Sequence, residues 1–449
     1  MLLISAAGFA ASGCSIAPPP VDAAQLVTEA IPATGGIALR TEGAPLDEAR
    51  ASADHLGLAQ AIELALLSDP GLQAALARVQ AAWAEAAEAG LPPDPVLDVV
   101  LRFPEGGGPL LADVGLGASV LALLRMPQRA AVTHELLRAE AARALGTALD
   151  LLQEVQQRYV AVQVQEALRG VLDERRTTVG RLLDLAQARL AVGEGTRSEV
   201  LAFQAERLSL DAALAELLNG LRQERLALAR LVGEPSGAAA WTLDAPSTRP
   251  PVPGSESAWI AVALERRPEV QVAAWELAAR TGAAALAAGT AWDPVTLGLA
   301  AEKDGNWSAG PGLSLPLPLG GRAGVRIAGA RARELEAIHL LTEARRRAVE
   351  DVRAALGVLQ LSAASVEQMR AELLPLQERH RTDLQRAFDA REVDATQLLL
   401  FDKSLQESRT RLLELELQVA LATIRLERAV GGPAAFETTR ASATRGDAR

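Results

Sequence analysis

The chain carries a single thiol, Cys14, close to its start. A lone cysteine has no disulfide partner within the chain, and no zinc or iron–sulfur spacing is present. The apolar, small-residue run 1–13 reads as a secretory signal. The four histidines, His55, His134, His339 and His380, are scattered and make no metal cluster. Gly106, Gly107 and Gly108 are consecutive but lack the strand–loop–helix setting of a nucleotide site. No nucleophile elbow appears, and the glutamates of the helical stretches read as solvated faces. No catalytic residue, cofactor or metal is expected, and the chain reads as a non-enzyme.

The stretch Ala11-Ser12-Gly13-Cys14 resembles a bacterial lipoprotein cleavage box. That resemblance implies a lipid on Cys14 as the new first residue. Ser15 after it, where Asp would direct otherwise, implies the outer membrane. Two features depart from the pattern: no Lys or Arg precedes Arg40, and Ala11 stands where Leu is usual. An ordinary signal peptide with an incidental cysteine is the alternative. Several acyl chains hold a protein on a membrane, whereas one is marginal. Residues 14–55, with Pro18, Pro19 and Pro20, read as a lipid-anchored N-terminal tether.

What positions the rest is a helical body. Acids outnumber bases 56 to 45 for a net charge of −11, which argues against a nucleic-acid partner. Six Trp, one Tyr and six Phe are few for a compact core of 449 residues, and Ala, Leu, Glu, Arg and Gln suggest long packed helices. Beyond the N-terminus no apolar run of about 18 residues occurs, so no transmembrane helix is expected.

The chain repeats itself at an offset of about 197 residues. Pro70-Gly71-Leu72-Gln73 answers Pro268-Glu269-Val270-Gln271, Asp94-Pro95-Val96 answers Asp293-Pro294-Val295, and Arg230-Leu231-Val232-Gly233 answers Arg428-Ala429-Val430-Gly431. The first repeat covers 56–232, the second 257–432. A Pro/Gly-rich segment, 233–256, joins them, and 433–449 form a C-terminal tail. Each repeat reads as a helix, a β-hairpin (about 95–123 and 294–319), a very long helix (about 127–190 and 322–388) and a return helix (about 197–232 and 395–430).

The extended segments alternate with period two. Leu97, Val99, Leu101 and Phe103 share one face, against Asp98 and Arg102 on the other. In the second repeat Leu297 and Leu299 oppose Thr296 and Glu302. Strands of this length suit a tilted bilayer crossing. A soluble hairpin with one buried face has the same local pattern. The return helices repeat apolar residues every 3.5 positions: Phe401, Leu405, Ser408, Leu412, Leu415, Val419, Ala422 and Leu426, and likewise Leu210, Leu214, Leu217, Leu221 and Leu228, with Glu224 interrupting. Ser198 is a plausible cap for the first return helix.

Four strands cannot close a barrel, and open edges are not tolerated in lipid, so transmembrane strands require several chains to share one barrel. The duplicated layout, Arg267-Pro268-Glu269-Val270, and the phrase from Gly312 to Arg322 resemble the TolC-like outer-membrane efflux factors, and the lipid box resembles their lipoprotein branch. The resemblance covers about 57–432. It implies a mainly α fold with a small β part: a long α-helical coiled-coil barrel joined to a transmembrane β-barrel, shared by a homotrimer with four strands per chain. It implies Leu97, Val99, Leu101, Phe103, Leu297 and Leu299 facing outer-membrane lipid. It places a periplasmic tip that docks an adaptor (a membrane fusion protein) at Gly193, Glu194, Gly195, Thr196, Arg391 and Val393, with Glu199 and Asp394 at the pore mouth. The partner beyond the adaptor is an inner-membrane transporter. The implied role is a passive duct in a tripartite efflux system at the outer membrane, lipid-anchored and reaching into the periplasm. A type I secretion duct, or a periplasmic coiled-coil scaffold without a barrel, is the alternative. The gate acids of some members fall at Gln397 and Leu400 here, so that gate is not carried over. Glu199 also reads as a helix-start acid complementing the dipole.

Overall fold

A computed structural model describes residues 25, 28–29, 54–103, 110–233, 241–245, 254–289, 295–304, 306–315, 321–390, 392–393 and 395–446. The elements in chain order are β1 (His55–Leu56), α1 (Leu58–Ser68), α2 (Pro70–Ala89), β2 (Val96–Arg102), β3 (Leu111–Ser119), α3 (Val120–Ala191), α4 (Arg197–Leu231), β4 (Thr242–Leu243), α5 (Glu256–Arg266), α6 (Pro268–Gly289), β5 (Thr296–Asp304), β6 (Asn306–Ser314), α7 (Arg322–Gln368), a π-turn (Met369–Leu373), α8 (Leu374–Asp389), α9 (Ala395–Ala429) and α10 (Pro433–Gly446). They divide into two compact units.

The first unit takes 74–145 and 268–346 among its residues. It holds a four-stranded antiparallel sheet in the order β2-β3-β5-β6. The two hairpins of the repeats therefore join edge to edge through β3 and β5. Beside the sheet, α3 and α6 approach closely because their facing residues are small. A Cβ on Gly282 would lie 2.7 Å from Val132. Arg138 sits over the Trp275 ring at 4.8 Å, and Arg143 pairs with Glu276. Arg125 donates to the Gly289 carbonyl at the end of α6, where a cation complements the helix dipole.

The second unit takes 24–73, 146–267 and 347–449. Trp259 of α5 is fully buried and stacks on Phe436 of α10 with centroids 5.2 Å apart. Val352, Leu356, Leu426 and Ala429 close the cluster. The 3.5-residue stripe of α9 is the packed one: Leu405, Leu415, Ala422 and Leu426 are all buried. Glu224 interrupts the α4 stripe without a buried lone charge, because Arg158 pairs with it at 2.9 Å.

Several expected boundaries move. The third helix begins at Val120, not near 127, so residues 120–123 leave the expected hairpin and become its first turn. Pro127 lies inside it and costs one backbone bond, which a helix of 72 residues absorbs. The second long helix is not continuous: before Pro375 the Leu374 amide bonds the Met369 carbonyl in a π-turn. Part of the expected tail, 433–446, is a helix whose Phe436 helps build the core. His55, at the end of the expected tether, lies in a two-residue strand paired in parallel with Thr242 of the 233–256 segment. Tyr159, the only tyrosine, locks that pairing: its hydroxyl donates to the Leu56 carbonyl at 2.9 Å and accepts from the Asp244 amide at 3.1 Å. Burial, with the neighbouring Asp244 carboxylate, pushes its pKa up to about 12.

Candidate functional site: a two-faced sheet and a helical tip

Register assigns every strand residue to one of two faces. Leu97 stands opposite Leu116, Leu116 opposite Leu299, and Leu299 opposite Pro311. Val99, Val114, Ala301 and Ala309 make the next row, and Leu101, Ala112, Lys303 and Trp307 the last. Leu297 and Leu313 are paired on the same side. One face is thus apolar across all four strands, and its leucines are more than half exposed. Phe103 follows β2 in the same alternation and is 76% exposed. The expected residues Leu97, Val99, Leu101, Phe103, Leu297 and Leu299 therefore share this one face, which spans both repeats.

The other face carries Asp98, Arg102, Asp113, Glu302, Ser308 and a band of glycines. Arg102 pairs with Asp113 across β2 and β3. Gly117 and Gly298 stand opposite each other. A Cβ at Gly117 would lie 2.7 Å from the Thr296 methyl, and one at Gly298 would run into the Leu116 carbonyl. The strands approach too closely there for side chains, so glycine is required. Sequence reading missed these glycines as close-approach residues. Their even spacing on the polar side of the alternation was the available signal.

The helical tip lies in the second unit. Between α3 and α4 the chain turns on Gly193, at φ +78. The Glu194 amide bonds the Arg189 carbonyl at 2.9 Å, and Arg189 donates to the Glu194 carbonyl at 3.2 Å. Gly193 and Gly195 serve different needs. The first takes a left-handed backbone; at the second, a Cβ would sit 2.9 Å from the Leu190 nitrogen. The cap of α4 is Thr196, not Ser198. Its hydroxyl accepts from the Glu199 amide at 3.2 Å, and the Glu199 carboxylate accepts from the Thr196 amide at 3.1 Å. This reciprocal box satisfies two donors at once and starts the helix earlier than a serine cap at 198 would allow. Glu199 is therefore engaged in the cap.

In the second turn the Glu392 amide bonds the Ala387 carbonyl at 2.8 Å, and Val393 is half-buried. Arg391, Asp394 and Cys14 lie outside the described residues. The two turns are brought together: Leu182, Leu183, Ala186, Val200 and Phe203 from α3 and α4 pack with Phe388 of α8 and Leu399 of α9. Behind this plug runs a charged layer that sequence reading missed. Arg381 pairs with the buried Asp402 at 2.7 Å, and Arg409 bridges Glu174 of α3 at 3.2 Å and Glu378 of α8 at 3.3 Å. Glu174, Arg381, Asp402 and Arg409 line a cavity of about 20 Å³, room for one water. Asp402 follows Phe401 of the apolar stripe, and that adjacency was its only signal. Among the described residues no group of three or more His, Cys, Asp or Glu is placed to hold a metal, and no helix is long and apolar enough to cross a membrane.

The fold has counterparts among known proteins. The family model described as outer membrane efflux protein matches residues 259–432. Over that stretch the chain is similar to the outer membrane efflux proteins. Its fold matches the outer membrane protein VceC of Vibrio cholerae at a TM-score of 0.70, with 20% identity, over 84% of this chain and 96% of that one. It also matches the open state of the MtrE outer membrane channel of Neisseria gonorrhoeae at 0.68, with 19% identity, over 84% and 89%. Among curated proteins it is similar to the fusaric acid resistance protein FusA of Burkholderia cepacia, 30% identical over 214 residues. That match takes in 43% of this chain and 39% of the relative's length. The expected fold class, mainly α with a small β part, is the observed one.

Proposed function

We propose that this chain is the outer-membrane duct of a tripartite efflux system. One observation carries the reading: a four-stranded antiparallel sheet with one exposed apolar face, an opposite face that carries Asp98, Arg102, Asp113 and Glu302, and β2 and β6 unpaired on their outer sides among the described residues. Such a sheet satisfies neither water nor lipid alone, because open edges leave backbone groups without partners. Three copies joined edge to edge supply twelve strands and close the ring, apolar face to the bilayer and glycine-lined polar face to the lumen. The cargo passes through passively. An inner-membrane transporter drives it, and a periplasmic adaptor docks at the turns around 192–199 and 389–397, with Glu199 and Asp394 near the pore mouth. The relative named for fusaric acid resistance favours efflux over protein secretion. Planar bilayers are the test: the purified full chain is expected to crosslink as a trimer and to give discrete conductance steps. A monomer without conductance overturns the duct.

The anchor is a separate proposal. Cys14, the only cysteine, carries the lipid and holds the N-terminus at the inner leaflet of the outer membrane. Labelled palmitate is expected in the wild type and absent from Cys14→Ala. Equal label in both removes the anchor and leaves the duct standing.

A further inference from the structure

The apolar face does not end where the strands end. Val120 continues the ladder beyond Ser119, its amide bonding the Val295 carbonyl at 3.2 Å. By alternation it lies on the side of Leu116 and Ala118, the apolar side. It is also the first residue of α3. Leu123 and Leu124 follow it by three and four positions, so they share its helix face. All three are exposed, Leu124 at 72%. In the second repeat Leu315, next after Leu313 on the apolar side, is exposed, as is Val325 in the first turn of α7.

The height of the sheet gives this continuation a purpose. Lys303 lies on the apolar face beside Trp307, its ammonium 6.0 Å from the ring. A lysine on a lipid-facing surface belongs at the headgroup level, where tryptophan is also favoured. That row therefore marks one boundary of the acyl-chain band, and Phe103, two residues further along the same face, stands beyond it at the headgroup level. Seven residue steps (119 − 112) run from Ala112, opposite Lys303, to Ser119 at the other end of the sheet. At about 3.3 Å per residue and a tilt of about 40° they cover about 18 Å, against a band of about 25 Å in outer-membrane barrels. About 7 Å is missing. The helical rise from Val120 to Leu124 supplies about 6 Å of it.

We propose that the first turn of α3 lies inside the membrane, with Val120, Leu123 and Leu124 facing phospholipid acyl chains. This rests on the reading of the sheet as membrane-spanning. Pro127 sets the limit of the immersed turn. It has no N–H to offer the Leu123 carbonyl, which points along the helix toward residue 127, so water or headgroups must reach that level. The apolar face gives way to the exposed Gln128 at the same height.

The test uses the scarcity of cysteine. Spin labels are attached at Leu124→Cys, Leu299→Cys and Gln128→Cys in the full chain, reconstituted into phosphatidylcholine–phosphatidylglycerol vesicles. The wild type, with Cys14 alone, is carried through the same labelling as the control. Collision with oxygen is compared with collision with a water-soluble nickel chelate. Leu299→Cys and Leu124→Cys are expected to shift toward oxygen, and Gln128→Cys toward nickel. Leu123→Cys serves as a second probe of the same turn. If the labels at 124 and 123 favour nickel while 299 favours oxygen, the turn is outside the membrane and the proposal falls alone. If they meet neither reagent while 299 meets oxygen, a second copy of the chain covers them, and the proposal falls alone. If 299 also favours nickel, the membrane-spanning sheet falls with it.

Discussion

Leu97→Arg is expected to abolish assembly in the outer membrane, while Asp98→Arg, one residue along the same strand, leaves assembly intact. The two positions differ in face and in little else. Both are exposed in the single chain, so neither substitution disturbs a packed core. Leu97 lies on the apolar face, four residues in from the Leu101–Ala112–Lys303 row that marks the boundary. At about 3.3 Å per residue and a tilt of about 40°, this puts it about 10 Å deep, near the middle of the band. An arginine at that depth on the lipid side of a barrel costs about 2–4 kcal/mol, and three copies in one ring raise this to about 6–12 kcal/mol. A whole domain is stable by only about 5–15 kcal/mol, so the ring does not survive. At Asp98 the new cation points to the lumen side, beside Asp113 on the neighbouring strand. The measurement is the fraction of chain recovered as trimer from outer-membrane fractions. Equal loss in both variants removes the assignment of faces.

Gly193→Leu is the second large effect, and it acts on export with assembly preserved. Gly193 holds φ +78. A leucine there pays roughly 1–2 kcal/mol for the left-handed backbone, and the turn relaxes to another shape. The cost is small beside the stability of the helical body, so trimer and membrane location are retained. What is lost is shape, because the same turn carries the Arg189–Glu194 bonds and leads into the Thr196–Glu199 box. If an adaptor reads this turn, crosslinking to the adaptor and export fall together. Gly195→Leu is expected to act in the same way by another route, since its Cβ has no room beside Leu190. Thr196→Ala, by contrast, removes a cap worth about 1 kcal/mol and is expected to be milder. Normal export and normal crosslinking in Gly193→Leu mean that the adaptor docks elsewhere.

Where sequence reading failed, the failures have a common cause. Thr196 and Ser198 are both suitable caps by residue type, and Thr196 is the one used. The choice turned on Glu199 being three positions after the threonine, a pairing that becomes decisive only when the turn brings both ends into register. The strand-to-helix change falls at Ser119–Val120, earlier than the sequence suggests, because Val120, Leu121 and Leu123 suit either structure. The Val120 amide still joins the ladder while its carbonyl side begins the helix. The pair β1 and β4 spans two residues, too few for any period to register. The π-turn had a visible cause in Pro375, yet a proline in a helical pattern permits a kink, a break or a bulge with equal ease.

Local pattern by itself determined a good deal of this protein. The alternation of Leu97, Val99 and Leu101 with Asp98 and Arg102 set two faces, because successive strand side chains must point to opposite sides. The 3.5-residue stripe of α9 set which side of that helix packs, because helix geometry brings those positions into one seam. The two copies of one layout were legible as repeated anchors. Tertiary structure decided the rest. It joined β3 to β5, so that two half-faces became one apolar surface running from Leu97 to Leu313. It set Gly117 against Gly298, placed Lys303 in the row that ends the acyl-chain band, and closed Arg381, Asp402 and Arg409 around one small cavity behind the tip. Each of these joins residues far apart in the chain. Periodicity records how a segment presents itself to its surroundings, and the identity of those surroundings exists only once distant segments have met.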